Sequence, residues 1–253
     1  MTTLEVLLTP ADFSALRKAD LQDTACVVFD VLRATSSMVT ALANGAEAVQ
    51  GVEEISEALA VLKRQPGVLL AGERDGLRIS AELTGSVAFD LGNSPREFVP
   101  EKVKGKTLVM TTTNGTRALR ACATAQLLLA SSFLNLTATA NFIRSQKPDH
   151  LLLVCSGTFD EAAYEDVLGA GALCDLIWSE YSSSSVADSA HMARRLYRME
   201  RFALLGAVAQ SRNGRRLLSR PELRDDVAFC LQRDKFPLVA ECNQDGLVTR
   251  RAL

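Results

Sequence analysis

Short apolar runs alternate with amphipathic helical patterns through the first two thirds of this chain, and that alternation restricts its fold more than any other feature. Runs of strand length lie at 4–8, 26–30, 46–52, 68–71, 107–110, 126–130 and 151–155, with helical patterns at 55–63, 117–123 and 134–145 between them. Such a succession buries its apolar faces by forming a sheet covered with helices. The expected fold class is therefore α/β: layered α/β/α with a mixed, largely parallel sheet. A helical C-terminal third follows, with patterns at 164–178, 186–198, 202–210 and 225–232, then strand-like segments at 237–242 and 247–250. At 253 residues and 47% apolar content, the chain can bury a core as one domain, 1–253. The serines at 182–185 mark a loop and a place for a subdomain break near 181–186.

Composition narrows the function classes. A formal charge of −2 leaves no electrostatic footprint for nucleic acid. No apolar stretch is long enough to span a membrane, and residues 1–6 lack a basic segment leading into an apolar one. A cytoplasmic protein is expected. Cys26, Cys122, Cys155, Cys174, Cys230 and Cys242 form no C-x-x-C pair and mostly lie in apolar runs, so they read as reduced, buried thiols. His150 and His191 are the only histidines and have no zinc-ligand spacing to a cysteine. The helical last third offers a surface for a homo-oligomer.

The chemistry sits where strands end. Asp30-Val31-Leu32-Arg33-Ala34-Thr35 follows the run 25–29 and leads into a helix from Thr35 to about Ala43. Ligands bind at the carboxyl edge of open α/β sheets, and helix N-termini favour anions. An Asp beside an anion site suits a divalent metal bridging it to a phosphate. Arg33 near a helix start needs an anion to meet. Gly72-Glu73-Arg74 repeats the acid-plus-arginine pairing. In Gly92-Asn93-Ser94-Pro95-Arg96-Glu97, the spacing predicts a capping box, with Ser94 as N-cap and Glu97 at N3. Gly92-Asn93 is left to turn an amide toward a ligand. The run Thr111-Thr112-Thr113-Asn114-Gly115-Thr116-Arg117 has hydroxyls and backbone N–H groups that could cradle a phosphate or sulfonate, but no Walker-type lysine. Finally, Cys155-Ser156-Gly157 is followed by Glu165-Asp166, about 100° apart on a helix, so one of the two is expected to be the ligand and the other to lie on the surface. Gly169 and Gly171 suggest close packing there.

These segments, in this order, resemble the 2-phosphosulfolactate phosphatase family: DVLRAT (30–35), GER (72–74), GNSP (92–95), TTNGT (112–116), Asn135 and EDVLGAG (165–171), with looser likeness at Asn213-Gly214 and Asp225-Asp226. One departure is Ser156, where the pattern is expected to have alanine. The resemblance covers nearly the whole chain and implies a Mg²⁺-dependent hydrolase taking 2-phospho-3-sulfolactate to 3-sulfolactate and phosphate, a step toward coenzyme M. Mg²⁺, or Mn²⁺, is expected on Asp30, Glu73 and Asp166, with Glu165 in reserve. Arg33, Asp30, Glu73 and Asp166 carry the expected catalytic roles. Thr35, Arg74, Asn93, Ser94, Thr112, Thr113, Asn114, Gly115, Thr116 and Arg117 join Arg33 in binding the substrate's oxyanions.

Rival readings follow from the same residues. Asp30 could be a covalent nucleophile, but the haloacid-dehalogenase pattern needs a second Asp where Leu32 stands. Cys155 lacks the C-x5-R arrangement of cysteine phosphatases and reads as a core thiol. The substrate could be another phosphorylated 2-hydroxy acid. A non-catalytic binder of a phosphorylated or sulfonated metabolite would gain nothing from carboxylates beside its ligand.

Overall fold

The structure, a computed structural model, describes residues 2–181 and 185–251. The strands, in chain order, are β1 (Thr3–Leu7), β2 (Thr24–Phe29), β3 (Ala48–Val52), β4 (Leu69–Arg74), β5 (Leu77–Arg78), β6 (Thr107–Thr111), β7 (Leu127–Ser131), β8 (His150–Cys155), β9 (Ser185–Val186), β10 (Val239–Cys242) and β11 (Leu247–Arg251). They form one sheet in the order β5-β4-β6-β3-β11-β10-β7-β2-β8-β1-β9. The fold is α/β with a mixed, largely parallel sheet, as expected. The nine expected strands are all present; β5 and β9 are added, each of two residues and too short to leave a periodic pattern. The expected break near 181–186 includes residues 182–184, which lie outside the described ones.

The sheet consists of two parallel blocks. β7, β2, β8, β1 and β9 run together, and so do β4, β6 and β3. The hairpin β10–β11 joins them, antiparallel to β7 on one side and to β3 on the other. The blocks therefore run in opposite senses. A right-handed twist of about 20–25° per neighbour accumulates to roughly 100° over the four steps from β2 to β3, so the blocks cross and do not point directly apart. This lets the carboxyl ends of β2, β4 and β6 meet.

β2 is buried on both faces, and its period-two alternation divides the core. Ala25, Val27 and Phe29 face one apolar cluster with the helix Tyr164–Leu176. Cys26 and Val28 face the other, with the helix Ala34–Ala43. The helix Tyr164–Leu176 is buried almost throughout, and its glycines allow that. A Cβ on Gly171 would lie 2.1 Å from the Ala193 carbonyl oxygen in the helix Asp188–Glu200, and one on Gly169 would lie 2.9 Å from Phe29. All six cysteines are buried and free.

The C-terminal region differs from the sequence reading in one element. The helix Arg212–Leu218 lies between the helical patterns expected at 202–210 and 225–232, and Asn213-Gly214 inside it is turn-like in sequence. Ser211 caps it, its hydroxyl accepting the Gly214 N–H at 3.0 Å. A Cβ on Gly214 would sit 1.9 Å from the Val208 carbonyl oxygen. Glycine here brings two short helices together and is not a breaker.

Candidate active site

The turn after β2 is wound around Asp30. Its Oδ1 accepts the Ala34 N–H at 3.0 Å. The Thr35 hydroxyl donates to the Asp30 carbonyl at 2.9 Å and stands 3.1 Å from the Asp30 N–H. Thr35 is therefore fully engaged in holding Asp30 and has no face on the pocket. Gly115, at the start of the helix Gly115–Ala121, allows the threonine-rich loop to approach: a Cβ there would lie 2.5 Å from the Ala34 Cβ and 2.7 Å from Asp30 Oδ2. Gly115→Ala is expected to displace the Asp30 carboxylate and lower kcat by about 100-fold, the scale of a misplacement near 1 Å. Steady-state kinetics alongside circular dichroism measures this; unchanged kcat would mean that this close approach is not needed.

Glu73 lies inside β4, which continues through Arg74 into a two-residue hairpin. The turn residues Asp75 and Gly76 both have positive φ, 56° and 78°, as the Asp-Gly hairpin signal demands. Glu73 Oε1 accepts the N–H and hydroxyl of Thr113 at 2.9 and 2.8 Å, and its Oε2 accepts the Gly76 N–H at 2.6 Å. Glu73 thus ties the β4 hairpin to the β6 loop. Thr112 and Thr116 bond each other across that loop. Their hydroxyls, with that of Thr113, are engaged within the protein, and Thr112, Thr113 and Asn114 line the pocket. Arg74 turns away: its guanidinium donates to the Glu53 carbonyl, the Thr111 hydroxyl and the Glu73 carbonyl. Arg117 also lies outside the pocket lining.

The acids on the helix Tyr164–Leu176 correct the expectation that one lies on the surface, because both are buried, Glu165 at 1% and Asp166 at 2% exposure. Asp166 Oδ1 accepts the Val31 N–H at 2.8 Å, while its Oδ2 accepts the Ser156 hydroxyl at 3.0 Å and the Gly157 N–H at 3.1 Å. It fastens the turns after β2 and β8 together. Ser156 supplies one of these bonds. Glu165 Oε1 accepts from the Asn213 amide at 2.5 Å, and its Oε2 is buried without a partner.

Ser94 and Glu97 do not form the expected capping box. The Ser94 hydroxyl donates to Asp226 Oδ1 at 2.7 Å, and Glu97 accepts the Gly92 N–H at 3.0 Å. The segment Pro95–Glu97 is a single 3-10 turn, too short to need reciprocal capping. Arg33 finds its anion in the same place. It donates to Asp226 Oδ2 at 2.7 Å and to the Gly76 carbonyl at 3.0 Å, while Arg96 donates to Asp226 Oδ1 at 2.8 Å. Asp226, fully buried on the helix Arg224–Cys230, gathers two arginines and a hydroxyl. Sequence reasoning touched it only as a loose likeness.

Together these segments line a pocket of about 60 Å³ that includes Asp30, Arg33, Glu73, Asn93, Asn114 and Asn213. Burial, reinforced by the charges of Glu73 and Glu165, pushes the Asp30 carboxyl up to about 6, against the opposing pull of the Ala34 N–H and Ser156. Asp166 is pushed well above the usual carboxylate range by burial, then by Asp30 and Glu165, against the Val31 N–H and Ser156. Three buried oxygens at this site have no hydrogen-bond partner among the described residues: Asn93 Oδ1, Asn114 Oδ1 and Glu165 Oε2. Unpartnered acceptors beside crowded carboxylates are a donor set suited to a hard cation. No three acids among the described residues converge closely enough to hold one by themselves. That fits Mg²⁺, which takes one or two carboxylates and completes its shell with waters and substrate oxygens. Cys155, at the end of β8, is buried, and burial first, then the charge of Asp166, raises its thiol well above its ordinary value. It is a core thiol.

The chain is similar to known proteins over nearly its whole length. A family model described as 2-phosphosulpholactate phosphatase matches residues 12–245. A protein of Caldanaerobacter subterraneus subsp. tengcongensis, named "Probable 2-phosphosulfolactate phosphatase", is 36% identical over 248 residues, covering 96% of this chain and 97% of its own. Thermotoga maritima has a protein of the same name, 39% identical over 213 residues, or 84% and 86% of the two chains. A third, from Pseudothermotoga lettingae, is 37% identical over 245 residues, or 97% and 98%.

Proposed function

Because this chain belongs to the 2-phosphosulfolactate phosphatase family, whose name describes hydrolysis of a phosphoric monoester, we propose that it hydrolyses 2-phospho-3-sulfolactate to 3-sulfolactate and phosphate with Mg²⁺. The observation that carries this reading is the set of unpartnered oxygens of Glu165, Asn93 and Asn114 beside Asp30 and Glu73. Asp30 would hold the cation, with Glu165 Oε2 and the two amide oxygens as further acceptors. Glu73 and Asp166, whose oxygens already take three bonds each, would position the surrounding turns. Bound Mg²⁺ would neutralise the phosphoryl oxygens and lower the pKa of a water for in-line attack. Asn114, directly before the helix Gly115–Ala121, lines the pocket and would face the phosphoryl group.

Phosphate release from 2-phosphosulfolactate, 2-phospholactate and phosphoglycerate tests the substrate. Highest kcat/KM on the sulfonate is expected, and equal turnover of all three would discard the named substrate while keeping the phosphatase. A physical consequence needs no substrate. With its folded pKa at about 6 against 3.8 ordinarily, Asp30 keeps a proton in the folded state that the unfolded chain has released. Metal-free stability therefore falls as pH rises between these values. Melting temperatures of chelator-treated protein should fall more steeply from pH 4 to 6 in the wild type than in Asp30→Asn. Equal slopes would show that Asp30 does not titrate there.

A further inference from the structure

We infer that Arg216 binds the sulfonate of the substrate and sets the preference for a sulfonated over an unsulfonated phosphoester; this rests on the phosphatase reading above. The pocket wall is rich in acid, and most nearby arginines are already engaged. Arg33 is bound to Asp226 and the Gly76 carbonyl, Arg96 to Asp226, and Arg74 to groups behind the pocket. Arg216 lines the pocket, yet its guanidinium makes only one ion pair among the described residues, to Asp75 Oδ1 at 3.6 Å. The Asp75 side chain is 92% exposed, so this long pair is weak and readily displaced.

The helix that carries Arg216 is held in place. Asn213, Arg216 and Leu217 occupy one face of the helix Arg212–Leu218, three and four residues apart, and all line the pocket. The Asn213 amide is tied to Thr158 at 2.7 Å and to Glu165 at 2.5 Å, and the Ser211 cap holds the helix start. In 2-phosphosulfolactate the phosphate-bearing carbon is flanked by a carboxylate and by a carbon carrying the sulfonate. A phosphate drawn to the Asp30–Glu73 end leaves a second anion to be neutralised at the rim. The guanidinium fork matches two sulfonate oxygens with parallel N–H bonds, a match that a lysine provides only as a point charge.

The test is kinetic, on the Mg²⁺-loaded full chain. Wild type, Arg216→Ala and Arg216→Lys are compared on 2-phosphosulfolactate, on 2-phospholactate, which lacks the sulfonate, and on 2-phosphooxypropane-1-sulfonate, which lacks the carboxylate. The ratio of kcat/KM for phosphosulfolactate over phospholactate should fall about 10- to 100-fold in Arg216→Ala, mostly through KM, with partial recovery in Arg216→Lys. A ratio unchanged within about twofold overturns the inference, as does loss confined to the preference for the carboxylate. In both cases wild-type turnover leaves the phosphatase reading standing. No wild-type turnover on any of the three would remove that reading and this inference with it.

Discussion

Asp30→Asn is expected to lower kcat for phosphate release by about 1,000-fold, the scale on which a group stabilising developing charge acts, without weakening the fold. The carboxylate is buried to 7% exposure and pushed up to about 6 by that burial and by Glu73 and Glu165, so its ionised form is held at a cost. An amide keeps the oxygen that accepts the Ala34 N–H and removes the repulsion. Metal-free Asp30→Asn should therefore melt at or above the wild type near neutral pH, the pattern of a residue kept for function against stability. Melting curves and steady-state kinetics on one preparation read both. Near-normal kcat would remove Asp30 from the mechanism, and a large drop in melting temperature would assign it a structural role.

The largest stability effect should come from Asp226. Replacing it with alanine leaves the Arg33 guanidinium, 3% exposed, without its anion, and strips Ser94 and Arg96 of their acceptor. Breaking a buried ion pair from one side costs about 3–5 kcal/mol. At about 2–4 °C per kcal/mol for a chain of this size, the melting temperature should fall by roughly 10 °C. Asp226→Asn retains an acceptor and should lose less. Activity should fall as well, since Arg33 is the hinge between the Asp30 turn and the Gly76 hairpin. A change under about 1 kcal/mol for the alanine variant would contradict the account of Asp226 as the tie between the C-terminal helices and the pocket.

The strand-end motifs were legible because an α/β sheet brings polar turns to its carboxyl edge, and Asp30, Glu73, Asn93 and Asn114 do line one pocket. What was hidden depends on side-chain direction and on distant partners. Arg74 follows Glu73 within β4, so it points to the opposite face of the sheet, and strand periodicity settles this once β4 is known to extend past Ala71. The Asp75-Gly76 dipeptide carried that information as a hairpin signal. The anion that Arg33 required lies 193 residues away along the chain, where no local pattern marks it. Asn213 and Arg216 were obscured because a glycine inside a short helix resembles a turn. The roles of Glu165 and Asp166 separate only when hydrogen bonds are counted: Asp166 has its full set, and Glu165 keeps one oxygen without a partner.

The most direct test of the central claim is phosphate release from 2-phosphosulfolactate by chelator-stripped protein as Mg²⁺ is added back. The account predicts negligible release without metal and saturable recovery with Mg²⁺, absent in Asp30→Asn. Full turnover by stripped protein, or recovery that Asp30→Asn shares, would contradict it.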